Sequence, residues 1–196
     1  QKNQLVETRN IRIGAPQLHG TMTLPKEARG LINLRMVAIE PPSPRDQHVA
    51  ELLNEHLYAT VLFDLLTDAE ALHRQNIFDI PLLARRLRLA VEWARADKDT
   101  CRLRIGLFGA STGAAALCAA ADLQSQISAA LSRGGRPDLA GGALPLVSAP
   151  TPLIVGGADT DVIELDEMAL ARMTCQRQLK VVPGATHRSR KKGTLD

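Results

Sequence analysis

Aromatic side chains are nearly missing from this sequence. Its 196 residues hold three Phe, one Tyr and one Trp, 3% of the whole. A surface that grips nucleic acid interleaves aromatics with a spread basic face, so no nucleic-acid partner is expected. Cysteine is also sparse. Cys101, Cys118 and Cys175 are an odd number without framework spacing, which favours free thiols and a reducing, cytoplasmic setting. No apolar run reaches the roughly 20 residues that span a bilayer, so no membrane association is expected. No charged-then-apolar leader opens the sequence, which starts at Gln1 rather than Met. No His, Cys and carboxylate cluster has metal-site spacing, and no metal is expected. Net charge is only +3, and much of the excess sits in one run, Arg188, Arg190, Lys191 and Lys192. A reading as an anion-surface binder rests on that run alone, and such runs are usually solvated faces.

What is present suits one domain over residues 1–196. Hydrophobic residues make up 45%, enough for a core, and there is no internal repeat or linker. Residues 10–13 and 18–24 alternate as a hairpin of edge strands, with Gly14-Ala15-Pro16 as its turn. Residues 31–39 read as a strand, and Asp46 as the cap of a helix running to about His56. Residues 59–66, "ATVLFDLL", read as a strand buried on both faces. Residues 80–96 form a long amphipathic helix with Pro81 in its first turn. Further strands are predicted at 104–108, 127–135 and 152–161, a final short strand and loop at 179–187, and helices at 112–122 and 164–173. Strands alternate with helices, which predicts an α/β fold with a mostly parallel sheet. Sites in such sheets gather beyond the carboxyl ends of the strands.

The stretch "IGLFGASTGAAAL", residues 105–117, carries a Gly-x-Ser-x-Gly turn between a predicted strand and an Ala-rich helix. That is the setting of a nucleophile elbow, with Ser111 at its tip. The new helix would aim its first amides at the place where an oxyanion forms. The plainer alternative is a Ser acting as helix N-cap in an ordinary turn. Two further residues follow strands in the right chain order. Asp159 lies in "PLIVGGADTD" and His187 in "LKVVPGATH". Ser, Asp, His is the order of α/β-hydrolase triads. Serine needs a base to take its proton, and a carboxylate fixes the tautomer of that base. Read singly, Asp159 is a turn residue, Asp161 a helix cap and His187 a loop histidine. Cys118, inside the Ala-rich helix, reads as core.

The elbow, "SRGGRPDLAG", "PLIVGGADTDVIEL" and "VVPGATH" together resemble the small dienelactone hydrolase-like α/β-hydrolases. The similarity runs from about Leu18 to the end and is dense from Ala59. Some of these proteins occur fused to phosphoribosyltransferase domains. The resemblance implies an α/β-hydrolase fold, a mostly parallel sheet flanked by helices. It implies a serine hydrolase cleaving a small carboxylic ester or lactone through an acyl-enzyme, without cofactor. Ser111 would be the nucleophile, Asp159 the acid, His187 the base, and the Thr112 amide an oxyanion donor. It also marks residues 132–138 as a family motif near the site. The plainer reading of Arg133 and Arg136 is a buried ion pair with Asp138 or another carboxylate.

Three departures support a second reading, a catalytically impaired or non-catalytic protein on the same fold. Where the family carries a His-Gly-Ser-Gly-Ser-like oxyanion loop, this sequence reads "LINLRMVAIEPPSPRD", residues 31–46. Pro41 and Pro42 cannot donate amides, and losing one oxyanion donor costs about 100- to 1000-fold in rate. With codons AAT TTG CGC ATG GTA GCN, residues 33–38 read Phe-Ala-His-Gly-Ser in a shifted frame, so paired frame changes would account for the break. After His187, relatives read Leu-Phe-Glu-Glu-Pro-Gly, whereas this sequence reads "RSRKKG". The sequence also stops at Asp196, so the fold is expected to lack its last helix.

Overall fold

The computed structural model describes residues 6–36, 43–111 and 113–185. The chain forms two compact units, residues 1–106 and 107–196. Among the described residues, eight strands and the helices between them give the α/β architecture that the alternation of elements predicts.

The first unit opens with the hairpin β1 (Val6–Ile13) and β2 (Leu18–Pro25). Gly14 has φ +66° and its carbonyl accepts from the Gln17 N–H at 3.0 Å, closing the turn. Both strands were expected at an edge. β2 instead also pairs antiparallel with β4 (Tyr58–Asp64), from Gly20 opposite Phe63 to Thr23 opposite Thr60. β3 (Gly30–Met36) runs parallel to β4. Ala59, Val61 and Phe63 are fully buried on one face of β4, and on the other Thr60 is buried and Leu62 half-buried.

The helix α1 (Pro44–Glu55) corrects one expectation. Its cap is Ser43, whose Oγ accepts from the Asp46 N–H at 3.2 Å, and Asp46 lies in the first turn. Pro44 decides this, because its preset φ and missing N–H suit the first helical position. The short helix α2 (Asp68–Ala71) starts with a reciprocal capping box between Thr67 and Glu70. A 3-10 turn follows over Arg74–Phe78. The helix α3 (Ile80–Ala96) has the predicted bounds. Asp79 caps it, and Leu83, Ala84, Leu87, Ala90, Val91 and Ala94 are buried at helical spacing. Asn33, Thr60, Arg86 and Thr100 are polar residues buried in this unit. Asn33 on β3 is 0% exposed, and neither its Nδ2 nor its Oδ1 has a partner among the described residues.

The second unit takes in most of β5 (Ile105–Ala110) and then α4 (Gly113–Leu123), β6 (Ile127–Arg133), a 3-10 stretch Pro137–Leu146, β7 (Thr151–Gly156), α5 (Thr160–Arg172) and β8 (Arg177–Val182). β6, β7 and β8 are mutually parallel, with Arg133 opposite Ile154 and Gly156 opposite Val182. Ala114, Ala115, Ala116, Ala119 and Ala120 of α4 are buried, and their small side chains let a helix lie close to its neighbours. β6 and β7 end two and five residues earlier than predicted, and α5 begins four residues earlier. Asp161 is not its cap but sits in its first turn, since Asp159 already holds the N-cap position. Among the described residues no helix is long and apolar enough to cross a membrane. Residues 37–42, Thr112 and residues 186–196 lie outside the described residues, and with them the expected oxyanion donor Thr112, the expected base His187 and the expected loss of the last helix.

Candidate active site

Ser111 stands between a buried strand and a buried helix. Ile105, Gly106, Leu107 and Gly109 of β5 are buried, and α4 begins only two residues after Ser111. So short a connection forces the backbone into an uncommon region. Ser111 has φ +62°, a left-handed conformation that costs a non-glycine residue about 1–3 kcal/mol. An N-cap residue sits in extended space instead, so the plainer reading of Ser111 does not describe this backbone. The Ser111 N–H donates to the Arg133 carbonyl at the end of β6, 3.1 Å away, while the residue itself is exposed. A strained, exposed serine at the tip of a strand-to-helix turn is the form of a nucleophile elbow.

Asp159 occupies the N-cap of α5 without capping it: its side chain makes no hydrogen bond to the helix amides. Its Oδ2 is buried and has no partner among the described residues. A buried carboxylate oxygen is costly unless something donates to it. The surroundings of Asp159 are built around missing side chains. A Cβ added to Gly156 would stand 2.9 Å from Asp159 Oδ2 and 2.4 Å from the Ala185 carbonyl. The stretch 182–185 is a tight turn. Ala185 N–H donates to the Val182 carbonyl at 3.2 Å, with Pro183 and then Gly184 at φ +65°. The Ala158 N–H donates to the Ala185 carbonyl at 3.1 Å, and the Gly157 N–H to that of Val182 at 2.8 Å. The chain is therefore pinned beside Asp159 at a point two residues before His187. The sequence showed Asp159 through its place after a strand. It did not show that the paired glycines before it make room for this approach.

The 132–138 motif is partly the ion pair that the sequence suggested. Arg136 Nε and Nη2 donate to the two carboxylate oxygens of Asp138 at 2.8 and 2.7 Å. The pair is not buried, because the Arg136 side chain is 48% exposed. The bonds hold the Asp138 carboxyl below its ordinary range. Arg133 instead lies over the Phe108 ring, 5.7 Å from its centroid. Sequence reasoning missed Asp166 on α5, a carboxyl 2% exposed whose Oδ1 has no partner among the described residues. Burial, then the charge of Asp138, push its pKa up to about 7. An aspartate on an amphipathic helix gives no sequence signal of burial. Cys118 is a half-buried thiol raised by burial and by Asp122, which disfavours the reactive thiolate. Among the described residues no group of three His, Cys, Asp or Glu could hold a metal ion.

No family profile matches the chain. It is 48% identical over 185 residues to two Mycobacterium tuberculosis proteins, from strains CDC 1551 and H37Rv, that carry a provisional phosphoribosyl transferase name. The match takes in 93% of this chain but 42% of each relative, so the chain spans less than half of their length. The crystal structure of a dienelactone hydrolase from Anabaena variabilis is 40% identical, with a TM-score of 0.91. That match covers 98% of this chain and 92% of the other. An esterase domain from a Rhodothermus marinus protein shares the fold at 15% identity and a TM-score of 0.74, over 97% and 93% of the two chains. A dienelactone hydrolase-like promiscuous phosphotriesterase from metagenomic libraries shares it at 15% identity and a TM-score of 0.76, over 93% and 83%. With a left-handed serine after β5, an uncapping aspartate after β7 and 40% identity over nearly the whole of a solved dienelactone hydrolase, the chain belongs to the dienelactone hydrolase-like family of α/β-hydrolases.

Proposed function

We propose that the chain is a serine hydrolase that cleaves a small carboxylic ester or lactone through an acyl-enzyme. The observation that carries this reading is the left-handed backbone of Ser111 at a strand-to-helix turn. Ser111 Oγ attacks the carbonyl carbon, and His187 accepts its proton. Asp159, whose buried Oδ2 lacks a partner among the described residues, receives the imidazole N–H and stabilises the imidazolium. The Thr112 amide donates to the oxyanion. His187 returns the proton to the departing alkoxide. Water, deprotonated by the same base, then attacks the acyl carbon and frees Ser111. No metal or cofactor enters this chemistry. We assign the transferase name of the longer Mycobacterium relatives to the part of them that this chain does not span. The three free cysteines fit a reducing setting such as the cytoplasm.

A second reading has an observation of its own. Asn33, buried on β3 and without a side-chain partner among the described residues, marks a segment poorly matched to its place. On that reading the chain is a catalytically impaired or non-catalytic protein of the family. The test is hydrolysis of p-nitrophenyl esters and of simple lactones by the wild-type protein and Ser111→Ala. The serine-hydrolase reading expects turnover that falls by about a thousandfold or more in the variant. Equal turnover in both would contradict it, and a folded wild-type protein without turnover favours the second reading.

A further inference from the structure

We propose that Arg133 is a positioning residue for the nucleophile, holding the end of β5 by its main chain and its side chain at once. This rests on the reading of Ser111 as nucleophile. Its carbonyl accepts the Ser111 N–H at 3.1 Å. Its guanidinium lies 5.7 Å from the centroid of Phe108, three residues before Ser111 on the same strand. The next residue reaches the other way. Gly134, with φ +56°, donates its N–H to the Ile154 carbonyl of β7 at 2.8 Å, five residues before Asp159. Arg136 then closes the turn through its two bonds to Asp138. One short stretch of chain thus ties the nucleophile strand to the acid strand.

The physical need for such a brace comes from Ser111 itself. A non-glycine residue in left-handed space persists only where its surroundings over-determine it. The Ser111 N–H precedes the helix and has no place in the α4 ladder, so the Arg133 carbonyl is what fixes its direction. That carbonyl is itself steadied by the grip of the same residue on Phe108. Misplacing a reacting atom by about 1 Å costs on the order of a hundredfold in rate, so a loose elbow would be slow while still binding substrate.

The test compares wild type with Arg133→Met, which keeps an apolar stem and removes the cation, and Arg133→Lys, which keeps a cation. Three quantities are read: kcat and KM on a p-nitrophenyl ester, the rate of fluorophosphonate labelling at Ser111, and deuterium uptake in peptides spanning 105–117. Arg133→Met is expected to lower kcat and labelling by about 10- to 100-fold, with KM within about twofold. It is also expected to speed deuterium uptake around Ser111, and Arg133→Lys to recover most of each loss. Wild-type kcat, labelling and uptake in a folded Arg133→Met protein would overturn the proposal and leave the hydrolase reading standing. If the wild-type protein itself is not labelled, the hydrolase reading has failed. Uptake then decides alone, faster exchange upholding the brace and unchanged exchange overturning it. If Arg133→Met does not fold, Phe108→Leu replaces it. It is expected to show the same pattern, and wild-type behaviour there overturns the proposal.

Discussion

Gly156 has no room for a methyl group. A Cβ there would meet the Ala185 carbonyl at 2.4 Å, and both that carbonyl and Asp159 Oδ2 are held by other contacts or by burial. Gly156→Ala is therefore expected to displace the 182–185 turn. It should cost about 1–3 kcal/mol in a denaturant titration, with a fall in any esterase activity larger than the loss of folded protein explains. Asn33 is the opposite case, a residue whose replacement should help. Both ends of its amide are buried without partners among the described residues. Asn33→Leu, of similar shape, is expected to raise stability by about 1–3 kcal/mol, read as a later denaturant midpoint at unchanged slope. An unchanged or earlier midpoint would show that the amide is satisfied. The turn at Ser111 and the strand end before Asp159 were legible because neighbours announce each, glycines around one and an apolar run before the other. Asn33 was not, since only three-dimensional burial separates an orphaned amide from a solvated one.

The helix α5 carries two aspartates with opposite fates. Asp159 sits at its start and does not cap it. Asp166 is buried, and burial and then the charge of Asp138, itself bonded to Arg136, raise its carboxyl to about 7. The pH dependence follows from this. In the unfolded chain Asp166 releases its proton near 3.8, whereas the folded protein keeps it until about 7. The folded state binds more protons across that window, so this group's contribution to stability falls as pH rises through it and levels off above pH 7. Asp166→Asn mimics the protonated form. It should flatten that decline and leave the variant more stable at pH 8 by up to about 4 kcal/mol, with little difference near pH 4. Parallel thermal melts from pH 4 to 8 check this, and equal slopes for both proteins would refute it. Element bounds show the limits of local reading. α3 was legible to the residue because an Asp, a Pro and a regular apolar stripe agree. α1 was misread at its start because two candidate caps, Ser43 and Asp46, lie three residues apart, and the intervening Pro44 settles between them.

At the scale of the molecule, alternation of strands and helices was enough to predict an α/β sheet, and residue motifs were enough to narrow it to one family. The 40% identity and TM-score of 0.91 against a dienelactone hydrolase agree with both. The pairing of β2 with β4 was not legible, because an antiparallel strand entering a parallel sheet leaves no periodic signal that separates it from an edge strand. The packing of Ala185 against Gly156 was hidden for a related reason: it joins residues distant in sequence through backbone atoms alone. The proposed chemistry stands on the strained serine that follows β5 acting as a nucleophile. Its most direct test is to treat the wild-type protein and Ser111→Ala with a fluorophosphonate and locate the adduct by mass spectrometry. A single adduct on Ser111 that disappears in the variant is expected. A folded wild-type protein that remains unmodified, or one modified equally in both forms, would contradict it.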